Sequence, residues 1–148
     1  MHATKMMVII LMMSMLAIAA PHIGGDDIVG IWETSNKEAR ISIFKTGNYY
    51  YGKISWLKNP NDADGRPKTD INNRDEQQRS KHVMGLLLLK SFEYNNLENL
   101  WEKGTVYDPN NGKTYSCKLS MTNMHTMEVR GYVGISMIGR TEVWTKVE

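Results

Sequence analysis

The chain has 148 residues, one cysteine and a formal charge of +2, with 41% hydrophobic and 23% charged residues. That length supports one domain, and the balance is that of a folded globular chain, not a disordered one. A single cysteine excludes a disulfide framework and a cysteine-rich zinc site, and the near-neutral charge argues against binding to nucleic acid through phosphate contacts.

Residues 1–19 have the pattern of an export signal. Lys5 gives a positive start, Met6 to Ala20 is apolar apart from Ser14, and Ala17-Ile18-Ala19 is an A-x-A pattern before a cut. The run is about 15 residues, short of the ~20 that a spanning helix needs, so cleavage is favoured over anchoring. A cut after Ala19 is preferred, because one after Ala20 would leave Pro21 first. Cys117 is far from the cut, so no lipoprotein-type acyl anchor is expected. The expected product is periplasmic or extracellular, with residues 20–27 as a flexible lead-in and residues 28–148 as a single domain. Met1, Met6, Met7, Met12, Met13 and Met15 fall in the signal, so the eleven methionines of the chain overstate those of the domain.

Eight segments then read as strands. They are Ile28–Thr34, Arg40–Lys45, Asn48–Trp56, Leu86–Glu93, Thr105–Tyr107, Tyr115–Met121, Thr126–Val133 and Thr141–Val147. Each is rich in Val, Ile, Thr or aromatics, and turn residues punctuate most gaps. Lys45-Thr46-Gly47-Asn48, Asp108-Pro109-Asn110-Asn111-Gly112 and Thr122-Asn123-Met124-His125 are turn signals. No ten-residue stretch beyond the signal has a strong 3.6 period. The pattern predicts an all-β antiparallel barrel or sandwich. Tyr115, Cys117, Leu119 and Met121 alternate onto one face, which predicts Cys117 as a buried small hydrophobe and not a reactive thiol.

Residues 59–81 break the rhythm. Asp62, Asp64, Asp70, Asp75 and Glu76 stand against Arg66, Lys68, Arg74, Arg79 and Lys81, with Ala63 and Ile71 as the only aliphatics. Asn73-Arg74-Asp75-Glu76 resembles a capping box and predicts a short helix from Arg74 to about Lys81. A connection this long is usually functional or disordered, and the plain alternative is a solvated excursion.

Few constellations suggest chemistry. Asp62-Ala63-Asp64-Gly65 fails as an EF-hand loop, because the first and twelfth ligand positions fall on Pro60 and Ile71. His22, His82 and His125 have no partner at metal-ligand spacing, and Pro21 lacks the amide hydrogen that an N-terminal copper chelate needs. No nucleophile elbow, P-loop or dinucleotide fingerprint is present. The expectation is no metal, no cofactor and no catalysis. The tryptophans and tyrosines spread through the strands suit a cavity wall, or plain core packing.

Gly30-x-Trp32 resembles the start of lipocalin-like (calycin) barrels, in which a basic residue of the last strand packs over the tryptophan. Arg140, opening the last predicted strand, is the candidate for that place, which makes Gly30, Trp32 and Arg140 the expected barrel closure. The stretch from Gly30 to Val147 resembles the bacterial secreted family catalogued as domain of unknown function 2147. The matching segments include Tyr51-Gly52-Lys53-Ile54 with Trp56-Leu57, and Pro60, Asp62, Gly65, Pro67, Asp70, Asn73 and Arg79 through the loop. Met84-Gly85-Leu86, Trp101, Gly104, Val106-Tyr107-Asp108-Pro109 and Gly112-Lys113-Thr114-Tyr115 follow. Val129-Arg130-Gly131-Tyr132-Val133-Gly134, Gly139-Arg140-Thr141 and Trp144-Thr145 complete the set. Ser80-Lys81-His82 and Glu102-Lys103 depart from the pattern. The resemblance implies a secreted or periplasmic protein with a small antiparallel eight-stranded, lipocalin-like barrel, and no agreed activity.

The first functional reading is a non-catalytic binding module for a small amphipathic or apolar ligand, such as a fatty acid or an envelope-lipid fragment. Its expected wall is Tyr51, Trp56, Tyr107 and Tyr132, with Arg130 as a polar contact if its face points inward. Asp62, Asp70, Asn73 and Arg79 belong to the expected lid. The alternatives are a filled barrel that binds an envelope protein or glycan, and, ranked last, a hydrolase using loop carboxylates. Exported from its own signal, the chain is expected to give the intact mass of residues 20–148 by mass spectrometry. A full-length mass would overturn the cleavage.

Overall fold

The computed structural model describes residues 19, 22–135 and 137–148, so all of the expected signal except Ala19 lies outside the described residues. Eight strands form one closed antiparallel barrel, each paired with its neighbours in sequence, and the last paired with the first. They are β1 (Gly30–Glu33), β2 (Ala39–Thr46), β3 (Tyr49–Leu57), β4 (Leu87–Asn95), β5 (Leu100–Asp108), β6 (Lys113–Asn123), β7 (Thr126–Tyr132) and β8 (Gly139–Lys146). The period-two alternation sends Ile41, Ile43, Tyr50, Ile54, Cys117, Leu119, Met127 and Val129 into the buried interior. Cys117 is fully buried, and that burial pushes its thiol up to about 12.

β5 is longer than its alternation predicts. It starts at Leu100, not Thr105, so Trp101 lies inside β5 and Tyr94 inside β4, where flanking positions were expected. The cause is a pair of facing irregularities. Ser91 and Lys103 both take positive φ, at 60° and 62°. The missing Cβ of Gly104 leaves room for the Phe92 ring, which lies against it. These kinks interrupt the alternation that marks a strand in sequence.

One end of the barrel is packed solid. A 3-10 helix, Gly25–Ile28, lies across it, and Ile28 and Trp32 are fully buried. The Trp32 indole donates to the Ile28 carbonyl at 2.8 Å, and the Trp101 indole to the Gly25 carbonyl at 3.1 Å. Tyr50 and Lys45 both donate to the Asp26 carboxylate, at 2.6 and 2.9 Å. These bonds, the tyrosine first, hold that carboxyl below its usual range. The described part of the lead-in is therefore packed, where flexibility was expected: Ile23 is buried, and its carbonyl accepts from Tyr94 at 2.8 Å.

The basic residue over Trp32 is Lys146, not Arg140. Lys146 Nζ lies 5.6 Å from the ring centroid and donates to the Asp27 carbonyl at 2.8 Å. β8 runs towards the packed end, so its last residues reach Trp32, and Lys146 is its register partner. Arg140 opens β8 at the opposite end, where it is largely exposed and 3.3 Å from Glu142. Gly30 is where the closure needs it. At φ 145° a Cβ there would strike the Glu148 carbonyl and the Lys146 side chain.

Lys146→Ala is expected to lower the unfolding free energy by about 2 kcal/mol, from a lost charged hydrogen bond and a lost cation–π contact. Arg140→Ala is expected to leave the urea midpoint unchanged, since exposed pairs contribute little. Equal losses in urea titrations would overturn this assignment of the closing cation.

Candidate functional site

The opposite half of the barrel is hollow. Beside the base, the interior is filled by Trp32, Phe92, Trp101, Tyr50 and Met127. Towards the mouth the inward positions carry shorter side chains, among them Ala39, Val106, Val129 and Gly131, and they border a cavity of about 930 Å³. Ile41, Ile54, Leu88, Val129 and Trp144 form an apolar floor, and Asp62, Lys68, Asn72, Arg140 and Glu142 stand at a polar rim. An eight-stranded barrel is just wide enough for side chains or one small ligand, so side-chain size decides which half is open.

Residues 58–86 cover part of the mouth as a folded loop. Asp62 N–H donates to the Arg66 carbonyl at 2.8 Å and Lys68 N–H to the Pro60 carbonyl at 3.0 Å, which closes a small hairpin. Val83 N–H bonds the Lys68 carbonyl at 2.9 Å, and Asp70 N–H the Lys81 carbonyl at 2.8 Å. Gly85 N–H then returns the chain to the Ile54 carbonyl at 2.8 Å. The Asp62 carboxylate accepts from the amides of Asp64 and Arg66, so it shapes this turn as well as the rim. The predicted helix from Arg74 to Lys81 shrinks to one 3-10 turn, Glu76–Gln78, with Asp75 as its N-cap in place of Asn73. Asn73 instead accepts from the Asp75 amide at 2.9 Å and turns its amide group towards Asp70.

Asp70 is the pin of this loop. It is only 1% exposed, the one buried charged or polar side chain among the described residues. Its two oxygens accept from the Tyr107 hydroxyl on β5 and from the Asn73 amide, each at 2.7 Å. Arg79 Nε supports the same turn by donating to the Asn73 carbonyl at 2.7 Å. Burial, then the bond to Asp70, pushes the Tyr107 hydroxyl up to about 12. Asn72 adds a second tie, donating to the carbonyls of Pro109 and Asn110 at 3.0 and 3.1 Å. Gly112 makes that approach feasible: at φ 71° a Cβ would fall on the Asn72 carbonyl.

The structure gathers some of the predicted wall and disperses the rest. Tyr107 and Tyr132 line the cavity. Tyr51 faces outward and stacks on Phe44, with centroids 5.8 Å apart. Trp56 also faces outward, 38% exposed, with the Arg40 guanidinium 4.9 Å from its ring. A register shift opposite Arg40 and Ile41 skips Ser55 and turns Trp56 away from the face of Ile54. Arg130 lies on the outer face, because its neighbours Met127 and Val129 are the buried ones, and it donates to Thr141 Oγ1 at 2.8 Å. Ile41, Ile54, Leu88, Val106 and Trp144 line the cavity outside the predicted wall; the period-two alternation of their strands is the signal that marks them.

A family model described as an uncharacterized protein conserved in bacteria, DUF2147, matches residues 30–146. Among solved structures, the chain is similar to protein HP1028 from the human pathogen Helicobacter pylori, which is described as belonging to the lipocalin family. The TM-score is 0.69 at 19% identity, over 81% of this chain and 82% of that one, a likeness of fold. The search of curated proteins gives no match.

Tyr107→Phe leaves the buried Asp70 short of one donor. It is expected to cost about 1–3 kcal/mol at neutral pH by urea unfolding. The Tyr107 pKa stands above its ordinary value of 10.0, so its contribution is whole below pH 10 and is lost as the pH rises through about 12. The variant should lack a tyrosinate absorbance step near pH 12 that the parent shows. An unchanged alkaline titration would remove the pin.

Proposed function

The chain belongs to the bacterial DUF2147 family and folds as a lipocalin-like barrel, and from that premise we propose that it is a non-catalytic carrier of one small apolar or amphipathic ligand. The half-hollow barrel carries this reading. Its volume of about 930 Å³ lies within the roughly 300–1,000 Å³ of small-ligand sites. An apolar floor under a polar rim suits a molecule that enters tail first and leaves its polar end among Asp62, Lys68 and Arg140.

Two observations weigh against the rival readings. A filled barrel acting through its surface alone has no use for this cavity. The hydrolase reading rests on the loop carboxylates, and the buried one, Asp70, has both oxygens occupied in holding the loop. The A-x-A pattern ahead of residue 20 supports export to the periplasm or beyond. Among the described residues, no helix is long and apolar enough to cross a membrane.

The exported chain is expected to take up a dansylated fatty acid with a blue shift and intensified emission. Val129→Trp, which projects a large ring into the cavity, should weaken uptake by at least about tenfold with the circular dichroism unchanged. Val106→Trp serves the same purpose from β5 if the first variant folds poorly. Probe uptake that survives a folded cavity-filling variant, or no uptake by the parent, would overturn the carrier reading.

A further inference from the structure

The connection between β7 and β8 carries aliphatic side chains where a solvent-facing turn ordinarily carries polar ones. Val133, Ile135, Met137 and Ile138 are 67, 58, 85 and 65% exposed. Ile71 on the loop above the mouth is 71% exposed, and it lines the same opening as Val133 and Ile138. A concentration of exposed apolar surface at a cavity mouth marks an interaction site, not an ordinary loop tip.

The nature of the partner follows from the backbone and from the charges beneath. Three amides of the turn are paired within it. Val133 N–H donates to the Ile138 carbonyl at 3.2 Å, Ile135 N–H to the Val133 carbonyl at 3.1 Å, and Ile138 N–H to the Ile135 carbonyl at 3.0 Å. Each amide paired in this way lowers the cost of entering an apolar phase, which offers it no partner. The four tip side chains are aliphatic or thioether. Protein-binding hot spots favour Trp, Tyr and Arg instead. Tyr132 stands at the end of β7 just below the tip, the level at which an aromatic ring with a polar handle suits a headgroup layer. Arg140, 3.3 Å from Glu142, opens β8 on the other side. Lys118 and Arg130 are direct cross-strand partners on the outer face beneath. Cations behind an apolar tip match the negative phosphates of an anionic bilayer.

We propose that the β7–β8 turn docks the cavity mouth on an anionic phospholipid surface, so that ligand passes between the bilayer and the barrel without crossing water. The docking stands on the tip and its cations alone, and only the ligand transfer rests on the carrier reading. Flotation of the exported chain with vesicles therefore tests the docking separately, since no ligand is added. Vesicles of phosphatidylglycerol and phosphatidylethanolamine are expected to carry the parent upward, and pure phosphatidylcholine vesicles to carry much less. The double variant Ile135→Asp, Met137→Asp should lose about tenfold in bound fraction while taking up the dansyl probe as before, because neither residue lines the cavity. Lys118→Glu with Arg130→Glu should abolish the preference for the anionic vesicles. Equal flotation of parent and tip variant, or none of the parent, would overturn the proposal.

Discussion

Trp32 is fully buried where three parts of the chain meet. Its indole hydrogen goes to the carbonyl of Ile28 in the 3-10 helix, and its ring lies beneath the ammonium of Lys146 on the last strand. The seam it closes is a thin one. β1 has four residues; Trp32 and Glu33 find register partners on β8, and Ile31 exchanges backbone bonds of 2.8 Å with Val147 and Glu148 just beyond it. The side chains around Trp32 add to this short run of backbone pairing. A closed barrel has no free edge, and this contact is what removes the last one.

With the base held, the barrel divides its interior by side-chain size. Rings fill the layer around Trp32, Phe92 and Trp101, and this layer resists collapse because it is close-packed. The layer above, with Val106, Val129 and Gly131, stays open because the strands that carry it are fixed at both ends. Below, they are fixed by the base. Above, Asp70 ties the long loop to β5 through Tyr107, and Asn72 ties it to the turn between β5 and β6. The cavity is thus a consequence of rigidity around small residues and needs no strained element.

Much of this was legible in the sequence. Alternating side chains placed seven of the eight strands within a few residues and showed a third of β5, and the Gly30-x-Trp32 start together with the spaced motifs indicated the barrel. Two of the failures share one physical cause. Sequence alternation tracks a face only while the register is unbroken. Lys103 and Gly104 break it in β5, which hid Trp101 inside a strand. Skipping Ser55 breaks it in β3, which reversed Trp56. The expectation of Arg140 in the place that Lys146 takes fails for a different reason. Both are basic residues of the last strand, and only the direction in which that strand runs separates the one that reaches Trp32 from the one at the mouth. The long loop read as polar because its side chains are; its order comes from backbone pairing and from one buried carboxylate, neither of which composition reports.

The order of the strands also bears on how the barrel is made. Every pairing but one joins strands that follow each other along the chain. Most of these can close through short turns, at little cost in chain entropy. The β3–β4 pairing must enclose residues 58–86 and is dearer. The β1–β8 pairing joins residues as distant as Trp32 and Lys146, and its entropy is recovered only when Lys146 settles over the tryptophan. A chain emerging from synthesis can thus lay down its hairpins one after another. It remains an open, sticky sheet until the final strand arrives. The interval before that closure is when the barrel is most exposed to wrong partners.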